Sequence, residues 1–220
     1  LTLRYAPQKS AGDAPMYAIP PEPSLHGLVD EAADAAPGSI WASDVRAFLH
    51  ESLEESRSFA DWAARILARL FKDTPLVVYP AHLAAGRKAA ATVFAQAVRE
   101  PLAVSRLVNE AAARLEARGY EPQLLKADED CAFFIERDGR RRKTTWNGET
   151  FKVAGFPEPV SREAMLDLLA AHPEQFSPNA ALRPVIQQSL LRPFAYAGGP
   201  GETAYWGQLK PVFEAFTLRM

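Results

Sequence analysis

Two dipeptides, Asp138-Gly139 and Asn147-Gly148, punctuate the stretch CAFFIERDGRRRKTTWNGETFKVAG that begins at Cys131, and they constrain the fold more than any other feature. Asp-Gly and Asn-Gly readily take the positive φ angles of tight hairpin turns, and the three runs they separate have strand composition. The expectation is an antiparallel β-meander, inserted into a chain whose other segments carry mainly helical patterns.

Upstream, "IPPEPSLHG" reads as extended backbone, because successive prolines fix φ and remove hydrogen-bond donors. A short helix is expected near 28–35. Between Val45 and Phe71 the apolar residues Phe59, Trp62, Ala63, Ile66, Leu67, Leu70 and Phe71 recur at helical spacing, predicting a helix buried on one face. The apolar run Leu76–Tyr79 in "TPLVVYPAHL" has the character of a buried parallel strand, and helical patterns follow it, the second ending at Gly119. After the meander, Ser161 is placed to cap one helix, and Pro184 falls in the first turn of another. Phe194–Ala197 then reads as a second parallel strand, delivering a glycine-rich loop to a helix that starts near Glu202. Four segments result: a connection over 1–40, α/β core over 41–120, the meander over 121–157, and α/β core with the glycine loop over 158–220.

Composition removes several classes of function. With 25 basic and 27 acidic residues the net charge is -2, so no overall field gathers nucleic acid or anionic membrane. The basic run "RDGRRRK" straddles a hairpin turn without interleaved aromatics and reads as a charged strand edge. No apolar run is long enough to cross a bilayer and the start carries no apolar signal core, so a cytoplasmic location is the default expectation. The single cysteine, Cys131, excludes an intrachain disulfide and reads as a buried structural thiol. The four histidines show no metal-ligand spacing, so no metal site is expected; His82, at the end of the first strand, is the one placed to serve as a polar pocket residue or proton carrier.

Open α/β sheets bind ligands beyond the carboxyl ends of their strands, which directs attention to Gly198, Gly199, Pro200, Gly201 and Glu202. The spacing is neither GxGxxG nor GxxxxGK[ST], so neither dinucleotide nor P-loop binding is indicated. Glu202 reads equally as compensation of a helix dipole and as a ligand carboxylate. Tyr205 and Trp206, one turn on, can wall a pocket or fill a core. Asn179 and Arg183 precede a helix and form a candidate carboxylate or phosphate site, against the alternative of an N-cap and a surface ion pair. Gln187 is a candidate on the same helix.

The adjoining stretches "HPEQFSPNAALRPVIQQSLL" and "RPFAYAGGPGETAYWGQLKPVFEAF" resemble the cysteine-adding enzymes of bacillithiol biosynthesis, with FSPN, RP, GGPGE, AYWG and QLK in order. The resemblance implies a Rossmann-like parallel-sheet core similar to nucleotidylyl transferases and class I aminoacyl-tRNA synthetases, with the meander as an insertion. It implies a ligase that forms an amide bond between cysteine and the amine of glucosaminyl-malate. By analogy, ATP would activate the cysteine carboxylate. Carried over by motif, Asn179, Arg183, Gly198, Gly199, Gly201, Glu202, Tyr205 and Trp206 would line the substrate cleft. Such proteins are about twice this length or more, so this chain is expected to lack an N-terminal half with a nucleotide loop and a C-terminal coiled coil through which the whole protein would dimerise. Tyr79 stands where the family commonly has an acidic residue before proline. The alternative is a non-catalytic binding or interaction module, or an inactive piece of such a ligase.

Overall fold

A computed structural model describes residues 14–35 and 39–220 of the chain. The chain divides into two compact units, Leu1–Ala81 and His82–Met220.

In the first unit, α1 (Leu25–Asp34) and α2 (Ala42–Glu54) pack against each other, with Leu25, Val29 and Leu53 buried, and α3 (Phe59–Leu70) follows. The helical pattern read over 45–71 is therefore two helices rather than one. Ser58 causes the break: it adopts extended backbone, and its hydroxyl accepts a hydrogen bond from the Asp61 amide, which starts a new helix. The Trp62 indole donates to Ser52 Oγ and ties α3 back to α2. The expected burial of one face does not hold, since no residue of α3 is fully buried and Leu70 is 70% exposed.

The second unit begins with α4 (Ala84–Ala89), α5 (Ala91–Arg99) and α6 (Ala103–Glu116). Gly119, at φ +81°, supplies the expected left-handed stop after α6. The meander follows as β1 (Asp130–Arg137), β2 (Arg140–Trp146) and β3 (Phe151–Val153). Asp138 and Gly139 both have positive φ, and Arg137 pairs with Arg140 directly across the two-residue turn. At the second turn Gly148 has φ +102°, and Asn147 Oδ1 accepts from the amides of Glu149 and Thr150. Then come α7 (Arg162–Ala171), capped by Ser161 as expected, a short 3₁₀ turn, and β4 (Phe176–Pro178). The last elements are α8 (Arg183–Leu191), α9 (Pro200–Trp206) and α10 (Lys210–Ala215).

The sheet runs β3-β2-β1-β4 and every pairing is antiparallel. β4 arrives from beyond α7, and Phe94 and Val98 of α5, Val108 of α6 and Met165 of α7 pack with Phe133, Ile135, Phe151 and Phe176 of the strands. The meander thus forms the middle of this unit's core. β3 pairs only with Thr144–Trp146 of β2, so the basic stretch Arg140–Arg142 is laddered to β1 alone and keeps the charged edge read from the sequence. Arg141 reaches past β1 to donate to Ser177 Oγ and the Pro178 carbonyl, with its guanidinium 4.2 Å from the centre of the Phe134 ring. Part of the basic run is consumed in cross-sheet bracing. Arg87, 7% exposed, likewise makes two bonds to the Glu136 carboxylate and one to the Glu174 carbonyl, fixing α4 to β1 and the 3₁₀ turn.

The parallel strands expected at Leu76–Tyr79 and Phe194–Ala197 are not formed among the described residues. Both segments lie outside every strand, and Val77 is 85% exposed and Phe194 fully so. Strand composition does not make a strand: ladder hydrogen bonds need a neighbouring chain segment, and neither run is paired with one.

Candidate functional site

The candidate residues gather where α8, the loop 192–199 and α9 meet. Asn179 starts the arrangement. It is 7% exposed; its amide donates to the Ala132 carbonyl, and its Oδ1 accepts from the amides of Ala181 and Leu182. Its Oδ1 turns the chain from β4 into α8, as an Asx turn does, which is the capping reading of this residue.

Arg183 is the first residue of α8, ahead of Pro184, whose fixed φ suits a helix start. Nη1 donates to Gln187 Oε1 one turn on, at 3.1 Å. Nη2 donates to Glu202 Oε1 at 2.5 Å and to the Tyr205 hydroxyl at 2.7 Å. The Tyr205 hydroxyl in turn donates to Glu202 Oε1 at 3.3 Å. Arg183 and Glu202 are each 38% exposed, so the pair opens to solvent on one side.

The electrostatics follow from this geometry. The Tyr196 phenol, then the Arg183 charge and Tyr205, hold the Glu202 carboxyl below its ordinary range, against partial burial. Burial and the Glu202 charge push the Tyr196 phenol up. Burial opposes the charge of Arg183, but its phenolic partners Tyr205 and Tyr196 outweigh that and raise it. At neutral pH the cluster is an ionised guanidinium and carboxylate with the Tyr196 phenol neutral beside them.

Tyr196 is the member that sequence reasoning missed. It lies in an apolar run read as a strand, and the available signal was its position two residues before the glycines. Its ring stacks on Trp206 with centroids 4.1 Å apart and planes 3° from parallel. Trp206 and Tyr205 are half-buried and packed against the core, which is the core reading of these residues. The Trp206 Nε1 atom is buried without an acceptor among the described residues.

The three glycines differ. None has positive φ, so backbone handedness does not require them. A Cβ on Gly198 would sit 2.9 Å from the Tyr196 ring, whereas one on Gly199 or Gly201 would meet nothing within 4 Å. Gly198 admits the stacked tyrosine; Gly199 and Gly201 present bare backbone to open space. The Thr203 hydroxyl ties back to the Gly199 carbonyl at 3.1 Å. Of the ten candidate residues, His82 lies furthest from the others along the chain, opening the second unit ahead of α4. Gln208, in the QLK stretch, is fully buried; its Oε1 accepts from the amides of Gln123 and Leu124 and its Nε2 donates to the Leu124 carbonyl. That conserves backbone order in the 120–125 segment rather than forming part of the cluster.

Among the described residues no group of three or more His, Cys, Asp or Glu side chains is placed to hold a metal ion, and no helix is long and apolar enough to cross a membrane. Cys131 is buried as expected, and burial, helped by Asp130, pushes its thiol up to about 12.

A mixed α/β domain presenting a polar cluster on a glycine-rich loop is the class of protein these features define, and comparison with known sequences specifies it. A model of the family described as bacillithiol biosynthesis BshC, N-terminal Rossmann-like domain, matches residues 3–220. The chain belongs to the BshC family, as the motif run indicated, and its fold class is Rossmann-like α/β. Proteins named "Putative cysteine ligase BshC" are similar to it in Bacillus cytotoxicus (29% identity, 87% of this chain, 36% of that protein), Chlorobaculum tepidum (31%, 90% and 35%) and Symbiobacterium thermophilum (32%, 95% and 40%). The chain spans about a third of the length of the curated relatives it matches.

Proposed function

We propose that this chain is part of a cysteine ligase that forms an amide bond between the cysteine carboxyl group and the amine of glucosaminyl-malate, and that Arg183, Glu202, Tyr205 and Tyr196 form one wall of the substrate cleft. The observation that carries the reading is the convergence of the family motifs. FSPN, RP, GGPGE and AYWG, separate in sequence, assemble one solvent-open cluster. Glu202, kept ionised, suits a substrate ammonium, and the phenol hydroxyls on either side can receive or donate hydrogen bonds as a sugar hydroxyl requires. Gly199 and Gly201 leave room for a ligand to approach the backbone.

Three of the five N–H donors of Arg183 already serve Gln187, Glu202 and Tyr205, so a malate carboxylate would share the guanidinium with Glu202. Nor does the loop fit a nucleotide phosphate: it has no run of positive-φ amides and no unpaired cation among the described residues of the cluster. ATP as the energy source is a proposal by analogy with the class I synthetase fold.

The mutual satisfaction of Arg183, Glu202 and Tyr205 favours one competing reading, in which the cluster only buttresses the loop and the chain is a non-catalytic module. Complementation separates the two. In a strain lacking its own cysteine-adding enzyme, the whole protein containing this chain restores bacillithiol, and Glu202→Ala reduces it while the protein accumulates normally. Full restoration by the variant would leave only the buttress.

A further inference from the structure

In the first unit, the rings of His26 on α1 and His50 on α2 face each other with Nδ1 atoms 2.6 Å apart. Their planes are 12° from parallel and their centroids 4.9 Å apart. The difference of about 2.3 Å between these separations is what two imidazoles contribute when each nitrogen points straight at the other. The rings are therefore nearly coplanar and meet edge to edge, in the geometry of an N–H···N hydrogen bond. Behind His50, Nε2 lies 2.9 Å from Asp30 Oδ1. The other charged groups of the array are Arg46 of α2, with Nε 3.7 Å from Asp30 Oδ1, and Asp34 of α1, which pairs with Arg46. Of the charged groups of α3, Asp61 and Arg65 pair with each other, Arg65 also with Glu55, and Arg69 lies over the Phe48 ring.

We propose that Asp30, His50 and His26 form a proton-binding site that holds α1 against α2 and admits only one extra proton. The chemistry follows from lone-pair accounting. Asp30 accepts from His50 Nε2–H, so His50 Nδ1 carries a lone pair and His26 Nδ1–H donates to it. One added proton goes to His26 Nε2, and the bridging hydrogen stays between the two Nδ1 atoms. A second proton has only the remaining Nδ1 lone pair to occupy, which puts two hydrogens between nitrogens 2.6 Å apart, and the contact must break. In the unfolded chain each imidazole takes its own proton. The open form therefore binds more protons, and the helix pair loses stability as pH falls through the histidine range. Asp30, held below its ordinary range first by the His50 hydrogen bond, keeps its full contribution through the histidine range and loses it only at more acid pH, below the ordinary carboxylate value. The site stands independently of the ligase reading.

Histidine nitrogen-proton correlation spectra of the intact chain at about pH 8 read the tautomers directly. The site requires Nε2–H on His50 and Nδ1–H on His26; Nε2–H on both rings would overturn it, because no hydrogen would then lie between them. Amide exchange supplies the second arm. Between about pH 8 and about pH 5.5, protection in α1 and α2, corrected for intrinsic exchange, falls by about tenfold or more while that in α5 and α6 holds, and His26→Gln flattens the response. A fall of the same size in His26→Gln, or none in the parent chain, would overturn the proposal.

Discussion

Arg183 and Glu202, 19 residues apart, meet through Nη2 and Oε1 at 2.5 Å and thereby join the first turn of α8 to the first turn of α9. Both are partly exposed, so the pair's worth to folding is modest, about 1 kcal/mol. A double-mutant cycle with Arg183→Met and Glu202→Gln, read by urea unfolding, should return a coupling energy of about that size. A value near zero would mean that the two side chains do not hold the loop.

The glycines of the loop should separate steric from functional need. Gly198→Ala drives a methyl against the Tyr196 ring and should cost about 1 to 3 kcal/mol unless the Tyr196–Trp206 stack shifts. Gly199→Ala meets nothing within 4 Å and should leave thermal stability almost unchanged. Reduced turnover by Gly199→Ala in the whole protein, at unchanged melting temperature, would mark the face a ligand approaches.

Gln208→Leu should be among the most damaging single substitutions. It leaves the amides of Gln123 and Leu124 without their acceptor and the Leu124 carbonyl without its donor, at about 1 to 3 kcal/mol in all. Chemical unfolding of variant and parent gives the difference directly.

Cys131 should resist thiol reagents at about pH 8 until the protein unfolds, because a thiol raised this far is almost entirely protonated as well as buried. Labelling of the native protein at the rate of a free thiol would contradict its placement in the core.

What the sequence made legible was mostly local. The two Gly-containing turns, the caps at Ser161 and Pro184, and the stop at Gly119 each depend on a few adjacent residues, and each is where the pattern put it. What depended on distant partners was not legible. Nothing in "PLVV" or "FAYA" states whether another segment will pair with it, and nothing in β2 revealed that β4 would return beside β1 and make the meander the middle of a core. The site followed the same division. Motif order picked out Arg183, Glu202, Tyr205 and Trp206, which the fold brings together with Gln187, a candidate only by its place on the same helix; Asn179 Oδ1 turned out to be occupied by backbone amides, and Tyr196 was hidden in an apolar run.

The central claim is that the Glu202 carboxylate touches substrate. The direct measurement is amide formation from cysteine and glucosaminyl-malate by the whole protein containing this chain, with ATP supplied, comparing the parent with Glu202→Gln at equal melting temperature. The account predicts a fall in kcat/KM of about a hundredfold or more, the size expected when a charged hydrogen-bond partner is lost. An unchanged kcat/KM would contradict it and return Glu202 to the role of a loop brace.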